Sequence, residues 1–155
     1  MRNLDKYKGV IPAFYACYDK DGNISPEAVQ ALTKYFVEKR RQRCVCKWLF
    51  RRVHLPERRG PQIVLENVMK AAEGKLTVIA HVACNNTKDS QELAKHAESL
   101  GVDAIAAIPP IYFHLPEYAI AKYWNDISAA APNTDFVFYN ISTACRCCSY
   151  TEFVC

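Results

Sequence analysis

"LTVIAHVACNNTKDSQELAKHAESLGVDAIAAIPP", residues 76–110, is the stretch that decides the fold. It opens with a continuous apolar, β-branched run (76–83), the pattern of a parallel strand covered on both faces. A polar turn follows, then "KDSQELAKHAESLG" (88–101), which has helical period and closes on Gly101. A second apolar run, "DAIAAIPP" (103–110), completes a strand–helix–strand unit.

The same alternation extends in both directions. "PEYAIAKYWNDISAAAP" (116–132) reads as the next helix and "DFVFYNI" (135–141) as the next strand. On the other side, "IVLENVMKAAEGK" is a helix ending at Gly74. Nearer the start, "GVIPAFYA" (9–16) reads as a buried strand. Ser25, Pro26 and Glu27 then supply an N-cap, a proline at the first helical position and an early acid. They start the helix "PEAVQALTKYFVEK", with Val29, Leu32, Tyr35 and Phe36 on one face.

Alternation of this kind specifies an α/β chain with a parallel sheet, which leaves a doubly wound sheet and a βα barrel open. Short connections after helices and longer ones after strands ("CNNTKDS", "PPIYFHLP") favour the barrel, whose chemistry sits at the strand C-termini. A whole barrel takes about 250 residues, so 155 residues supply roughly its first five βα units.

One segment breaks the pattern. Residues 40–62 hold seven of the nine arginines, Lys47 and only one acid, Glu57, and so contribute +7 to a net charge of +4. The remainder is −3, so the positive charge is a local block rather than a property of the domain. The tail from Ser142 is similarly unusual, with Arg146 and four of the eight cysteines. No long uncharged apolar run appears and "MRNLDKYKG" lacks a signal-peptide core, so the expectation is a soluble, cytoplasmic protein with reduced thiols.

"KYKGVIPAFYACYDKDGNISPE", "GKLTVIAHVACNNTKDSQELAKHAESLGVDAIAAIPPIYFHLPE" and "DFVFYNI" together resemble the N-acetylneuraminate lyases of the dihydrodipicolinate synthase superfamily, the class I pyruvate aldolases. The resemblance covers residues 1–39 and 63–141. It implies a partial (β/α)8 TIM barrel, usually tetrameric when whole, acting on a small-molecule substrate with no cofactor. The reaction it implies is aldol cleavage of N-acetylneuraminate to pyruvate and N-acetylmannosamine through a lysine Schiff base. A dihydrodipicolinate synthase-like aldolase and a non-catalytic fragment are the alternatives.

That chemistry needs three parts. An unprotonated lysine in a dry pocket attacks the ketone; a hydroxyl relays a proton as the carbon–carbon bond breaks; and backbone N–H groups on a tight turn grip the carboxylate. Tyr139, in "FYNI", matches the family's catalytic tyrosine, and Tyr112, in "PPIYF", resembles a tyrosine used near the site at a subunit contact. The family's G-S-S-G-E or G-S-T-G-E turn belongs near residues 48–52, which here read Trp48, Leu49, Phe50, Arg51 and Arg52. The Schiff-base lysine, on the family's sixth strand, has no counterpart in this chain.

Residues 40–62 and 142–155 are therefore expected to be aberrant, the first of them read in a shifted frame between two compensating changes. A coding string for G-V-K-G-V-Y-V-N-G, "GG CGT CAA AGG TGT GTA TGT AAA TGG", reads in that frame as R-Q-R-C-V-C-K-W, which is residues 41–48. A frame change also accounts for the tail. A metal site built from Cys44, Cys46, His54 and the tail cysteines lacks the usual C-x2-C spacing. A nucleic-acid patch, with arginines around Trp48 and Phe50, is the other reading set aside. The domain assignment is thus 1–141 as the N-terminal part of a barrel aldolase, with no metal, nucleic-acid or membrane partner.

Overall fold

A computed structural model describes residues 4–39, 59–110 and 115–139, and the backbone of 43–46. A short 3-10 helix (Asp5–Tyr7) precedes α1 (Pro26–Glu38), β1 (Arg43–Cys46), α2 (Gly60–Ala72), β2 (Thr77–His81), α3 (Thr87–Ser99), β3 (Ala104–Ala107), α4 (Glu117–Ala129) and β4 (Asp135–Phe138). The four strands form one sheet in the order β1-β2-β3-β4, every pair parallel.

Two observations choose the barrel over the doubly wound sheet. A doubly wound sheet reverses its strand order at a switch point and carries helices on both faces, whereas this order runs in sequence without reversal. All four helices also share one core. Val29 of α1, Val68 of α2, Ala94 of α3 and Ile127 of α4 are buried with the outward side chains Val78, Ala80, Ile105 and Ala107. The opposite strand face is separate, with Ile79, Ala104 and Ala106 packed by Tyr7, Ile11 and Val137. Period-2 alternation along each strand produces this division.

The helix signals act as their chemistry dictates. Ser25 Oγ accepts from Ala28 N–H at 3.3 Å, and Asn86 Oδ1 caps α3 by accepting from Lys88 N–H at 2.8 Å. α3 ends in a Schellman motif, with Gly101 N–H donating to Glu98 O at 2.9 Å and Val102 N–H to Ala97 O at 3.4 Å. Gly101 has φ +71, and an added Cβ would meet nothing within 4 Å. Gly101→Ala is therefore expected to cost only the left-handed backbone penalty, about 1–2 kcal/mol, readable as a lower urea midpoint with an unchanged m-value.

Three expectations change. Residues 9–16 form no ladder beyond a single bridge residue, Ala13. Pro12 supplies no N–H for a ladder, and the segment instead crosses between layers, Ile11 packing inside and Phe14 outside. On α1, Tyr35 is 51% exposed, while Thr33, one turn after Val29, is buried and donates to Val29 O at 2.8 Å. The third concerns residues 40–62, the segment expected to be aberrant. The backbone of Arg43–Cys46 pairs in parallel with β2, Arg43 opposite Thr77 and Cys46 opposite Ala80.

α2 then packs back on α1, with Gln30 Nε2 donating to Asn67 Oδ1 at 2.7 Å. The chain thus resumes the barrel pattern in register after residue 59. At the N-terminal ends of the strands, the Tyr7 hydroxyl lies 2.6 Å from Asp103 O and 2.8 Å from Asp135 Oδ2, sharing one proton between them. Lys6 lies 3.6 Å from Asp103 and 3.7 Å from Asp135. This end of a barrel serves stability, and the opposite end serves chemistry.

Candidate active site at the strand ends

Tyr139 follows β4 directly, its N–H continuing the ladder to Ala107 O at 3.2 Å. Alternation places it on the same face as Val137, which packs the interior cluster. Its ring stands perpendicular to that of His81, centroids 6.0 Å apart. His81 ends β2, is 7% exposed, and accepts from Ile108 N–H through Nε2 at 3.3 Å. The sequence reading passed over His81. The signal available was a lone polar residue two positions after Ile79 in "VIAHVA", hence on the interior face.

The loop after β2 is held by a buried hydroxyl pair. Ser90 Oγ accepts from Cys84 N–H at 2.8 Å, and the Tyr123 hydroxyl donates to Cys84 O at 3.0 Å. The two hydroxyls are 3.0 Å apart. With the Tyr123 proton committed to Cys84 O, Ser90 is the donor in that contact, in competition with Asn86 O at 3.2 Å. Helices α3 and α4 thereby fix the backbone at the strand-end face.

Burial pushes the Tyr123 phenol and the Cys84 thiol above their ordinary ranges, with the charge of Asp89 adding to the effect at Cys84. Burial raises Tyr7 as well. Each of these acids is favoured in its neutral form when folded, so the stability it contributes is present below its unfolded pKa and lost as pH rises through the folded one. Thermal melts are expected to hold steady through neutral pH and fall above about pH 9–10, where free thiols and phenols ionise. Tyr123→Phe, by removing one titrating group, should lower the melting temperature at pH 7 and flatten its alkaline decline.

Among the described residues no lysine ends a strand. Lys34, Lys70, Lys95 and Lys122 lie in helices, and Lys75 precedes β2. No group of three or more His, Cys, Asp or Glu among the described residues could hold a metal ion. None of the helices among them is long and apolar enough to cross a membrane. Tyr112, residues 48–52, His54, the side chains of Cys44 and Cys46, and the tail 142–155 lie outside the described residues.

Comparison with known proteins supplies what the geometry leaves open. The chain is 76% identical over 141 residues to the N-acetylneuraminate lyase of Mediterraneibacter gnavus, covering 91% of this chain and 45% of that protein. With 141 of 155 residues aligned, the aligned span includes 40–62. The structure of a Ruminococcus gnavus sialic acid aldolase, a catalytic lysine mutant, superposes with a TM-score of 0.85 at 70% identity, over 94% of this chain and 48% of the aldolase. The N-acetylneuraminate lyase of Mycoplasma synoviae gives 0.81 at 30% identity, covering 90% of this chain and 48% of that one. The chain spans about half the length of the curated relatives it matches. Residues 6–149 match the dihydrodipicolinate synthetase family, and with its parallel sheet, single helical layer and strand-end tyrosine the chain belongs to that family.

Proposed function

We propose that this chain is the N-terminal half of an N-acetylneuraminate lyase barrel, with Tyr139 as the catalytic tyrosine, and that the 155-residue polypeptide alone does not turn over. The observation that carries this reading is the place of Tyr139, on the interior face at the C-terminal end of β4, where barrel chemistry is carried out. The 76% identity to a lyase favours that substrate over dihydrodipicolinate synthase chemistry, since a dihydrodipicolinate synthase structure is matched at 22% identity, which supports the fold alone.

In the cleavage, a lysine amine attacks the C2 ketone of N-acetylneuraminate, and the adduct loses water to form a Schiff base. The C3–C4 bond breaks as the C4 hydroxyl gives up its proton, releasing N-acetylmannosamine. The enamine left on the lysine takes a proton at C3 and is hydrolysed by water to pyruvate and the free amine. Tyr139 is the hydroxyl that moves the proton between the sugar oxygen and the carboxylate end. Tyr112 contributes near the site at a subunit contact in a tetrameric, cytoplasmic enzyme. The two remaining parts have no match in these 155 residues. Trp48, Leu49, Phe50, Arg51 and Arg52 occupy the place of the carboxylate-binding turn, and no described lysine ends a strand.

We read residues 40–62 as a segment in the wrong frame and 142–155 as a second one. Its preserved length supports this, because α2 packs on α1 after it, with Asn67 meeting Gln30. A coupled pyruvate-release assay on the purified 155-residue chain tests the loss of activity. No rate above background is expected, and turnover dependent on N-acetylneuraminate would contradict it.

A further inference from the structure

Neighbouring strands lie about 4.8 Å apart, so side chains on β2 and β4 start roughly 10 Å from each other with β3 between them. They can meet only where β3 is small. β3 presents Ala104 and Ala106 to the interior, and Ala106 stands between His81 on one side and Val137 on the other. Over that alanine the rings of His81 and Tyr139 close to 6.0 Å at 90°. Both residues are tied to consecutive positions of the same strand end, Tyr139 N–H to Ala107 O at 3.2 Å and His81 Nε2 to Ile108 N–H at 3.3 Å.

We propose that His81 is a positioning residue for Tyr139: its ring, oriented by the Ile108 N–H, selects the Tyr139 rotamer that directs the hydroxyl along the barrel mouth. The role rests on the reading of Tyr139 as the proton relay. An aromatic ring on a strand end has several staggered rotamers open to it, and the backbone bond to Ala107 fixes only where the side chain starts. An edge-to-face partner held in place by its own hydrogen bond removes that freedom. Histidine suits the position because it combines a flat ring with an acceptor for a backbone N–H that would otherwise be buried without a partner.

Nuclear magnetic resonance on the 155-residue chain with ring-labelled tyrosine tests this. Tyr139→Phe identifies the Tyr139 signals, and those of Tyr7 report on the interior at the opposite end. The parent should show one Tyr139 χ1 rotamer and cross-relaxation to the His81 ring. His81→Gln, which keeps an acceptor and loses the ring, should average Tyr139 over rotamers with Tyr7 unmoved. His81→Phe, which keeps a ring and loses the acceptor for Ile108 N–H, should fall between the parent and His81→Gln and still favour the parent rotamer. A single Tyr139 rotamer in His81→Gln, equal averaging in both variants, or loss of the Tyr7 signals in His81→Gln would each overturn the proposal, the last by assigning His81 to folding. The relay role fails separately, if Tyr139→Phe leaves turnover intact in a barrel with residues 40–62 restored and the second half supplied, and that result would not disturb the measured ring contact.

Discussion

Pyruvate release is expected from a barrel reassembled out of a repaired form of this chain, and Tyr139→Phe is expected to lower that rate by about 10²–10⁴-fold, the usual contribution of a positioned proton-transfer group. The repair replaces residues 40–62 with the corresponding residues of the Mediterraneibacter gnavus lyase, whose aligned span of 141 residues includes that region. The part of that lyase beyond the matched region is supplied as a second polypeptide. Without the repair, the same mixture should remain at background. The sequence at 48–52, Trp48-Leu49-Phe50-Arg51-Arg52, lacks the glycine and small hydroxyls that let backbone N–H groups close on a carboxylate. Phenylalanine keeps the ring that meets His81 and removes only the hydroxyl, so the effect should fall on kcat, with KM little changed. A repaired barrel in which Tyr139→Phe runs at the parent rate would remove Tyr139 from the mechanism.

Phe14→Ala should be the most damaging single change to stability, costing about 3–5 kcal/mol as a large aromatic side chain lost from a packed core. Phe14 is 2% exposed and meets the Phe36 ring edge-on at 5.9 Å, which ties residues 10–17 to α1. Those residues have no ladder to hold them, so the anchor is the side chain. A domain is stable by only about 5–15 kcal/mol, and this one has an exposed aromatic flank where Phe138, 61% exposed, packs on Trp124 at 4.8 Å. Phe14→Ala is therefore expected to leave a largely unfolded chain at 37 °C, seen as loss of helical circular dichroism. A variant that melts within a few degrees of the parent would show that residues 10–17 contribute little to the fold.

The features that could be read from the sequence are those whose physics is local. Ser25 with Pro26 announces the start of α1 because an orphan N–H needs an acceptor there, and Gly101 announces the end of α3 because a left-handed turn follows. The apolar runs of β2 and β3 identify themselves because both of their faces are covered. What escaped reading depended on partners distant in the chain. Residues 9–16 have a strand's composition, but Pro12 and the demands of two layers take them out of the ladder. Arg43–Cys46 have no strand pattern, yet backbone pairing with β2 needs none. Glu73, not Gly74 alone, takes a left-handed conformation after α2, with φ 48.

The site shows the same division. Tyr139 could be singled out as a candidate because the motif around it is short and contiguous. His81 could not, because its partner lies 58 residues further along the chain, and only the parallel register over Ala106 brings the two rings together. The loop clamp is of the same kind, with Ser90 and Tyr123 meeting at Cys84 from two different helices.

The most direct test of the central claim, that residues 40–62 stand where a carboxylate-binding turn was encoded, is the nucleotide sequence of the gene across codons 38–64 in independent isolates. The prediction is that the neighbouring frame encodes a glycine- and hydroxyl-rich turn ending in glutamate at positions 48–52, bounded by one gained and one lost base. An uninterrupted reading of Arg40 to Gln62 in every isolate, with no such turn in either alternative frame, would contradict it.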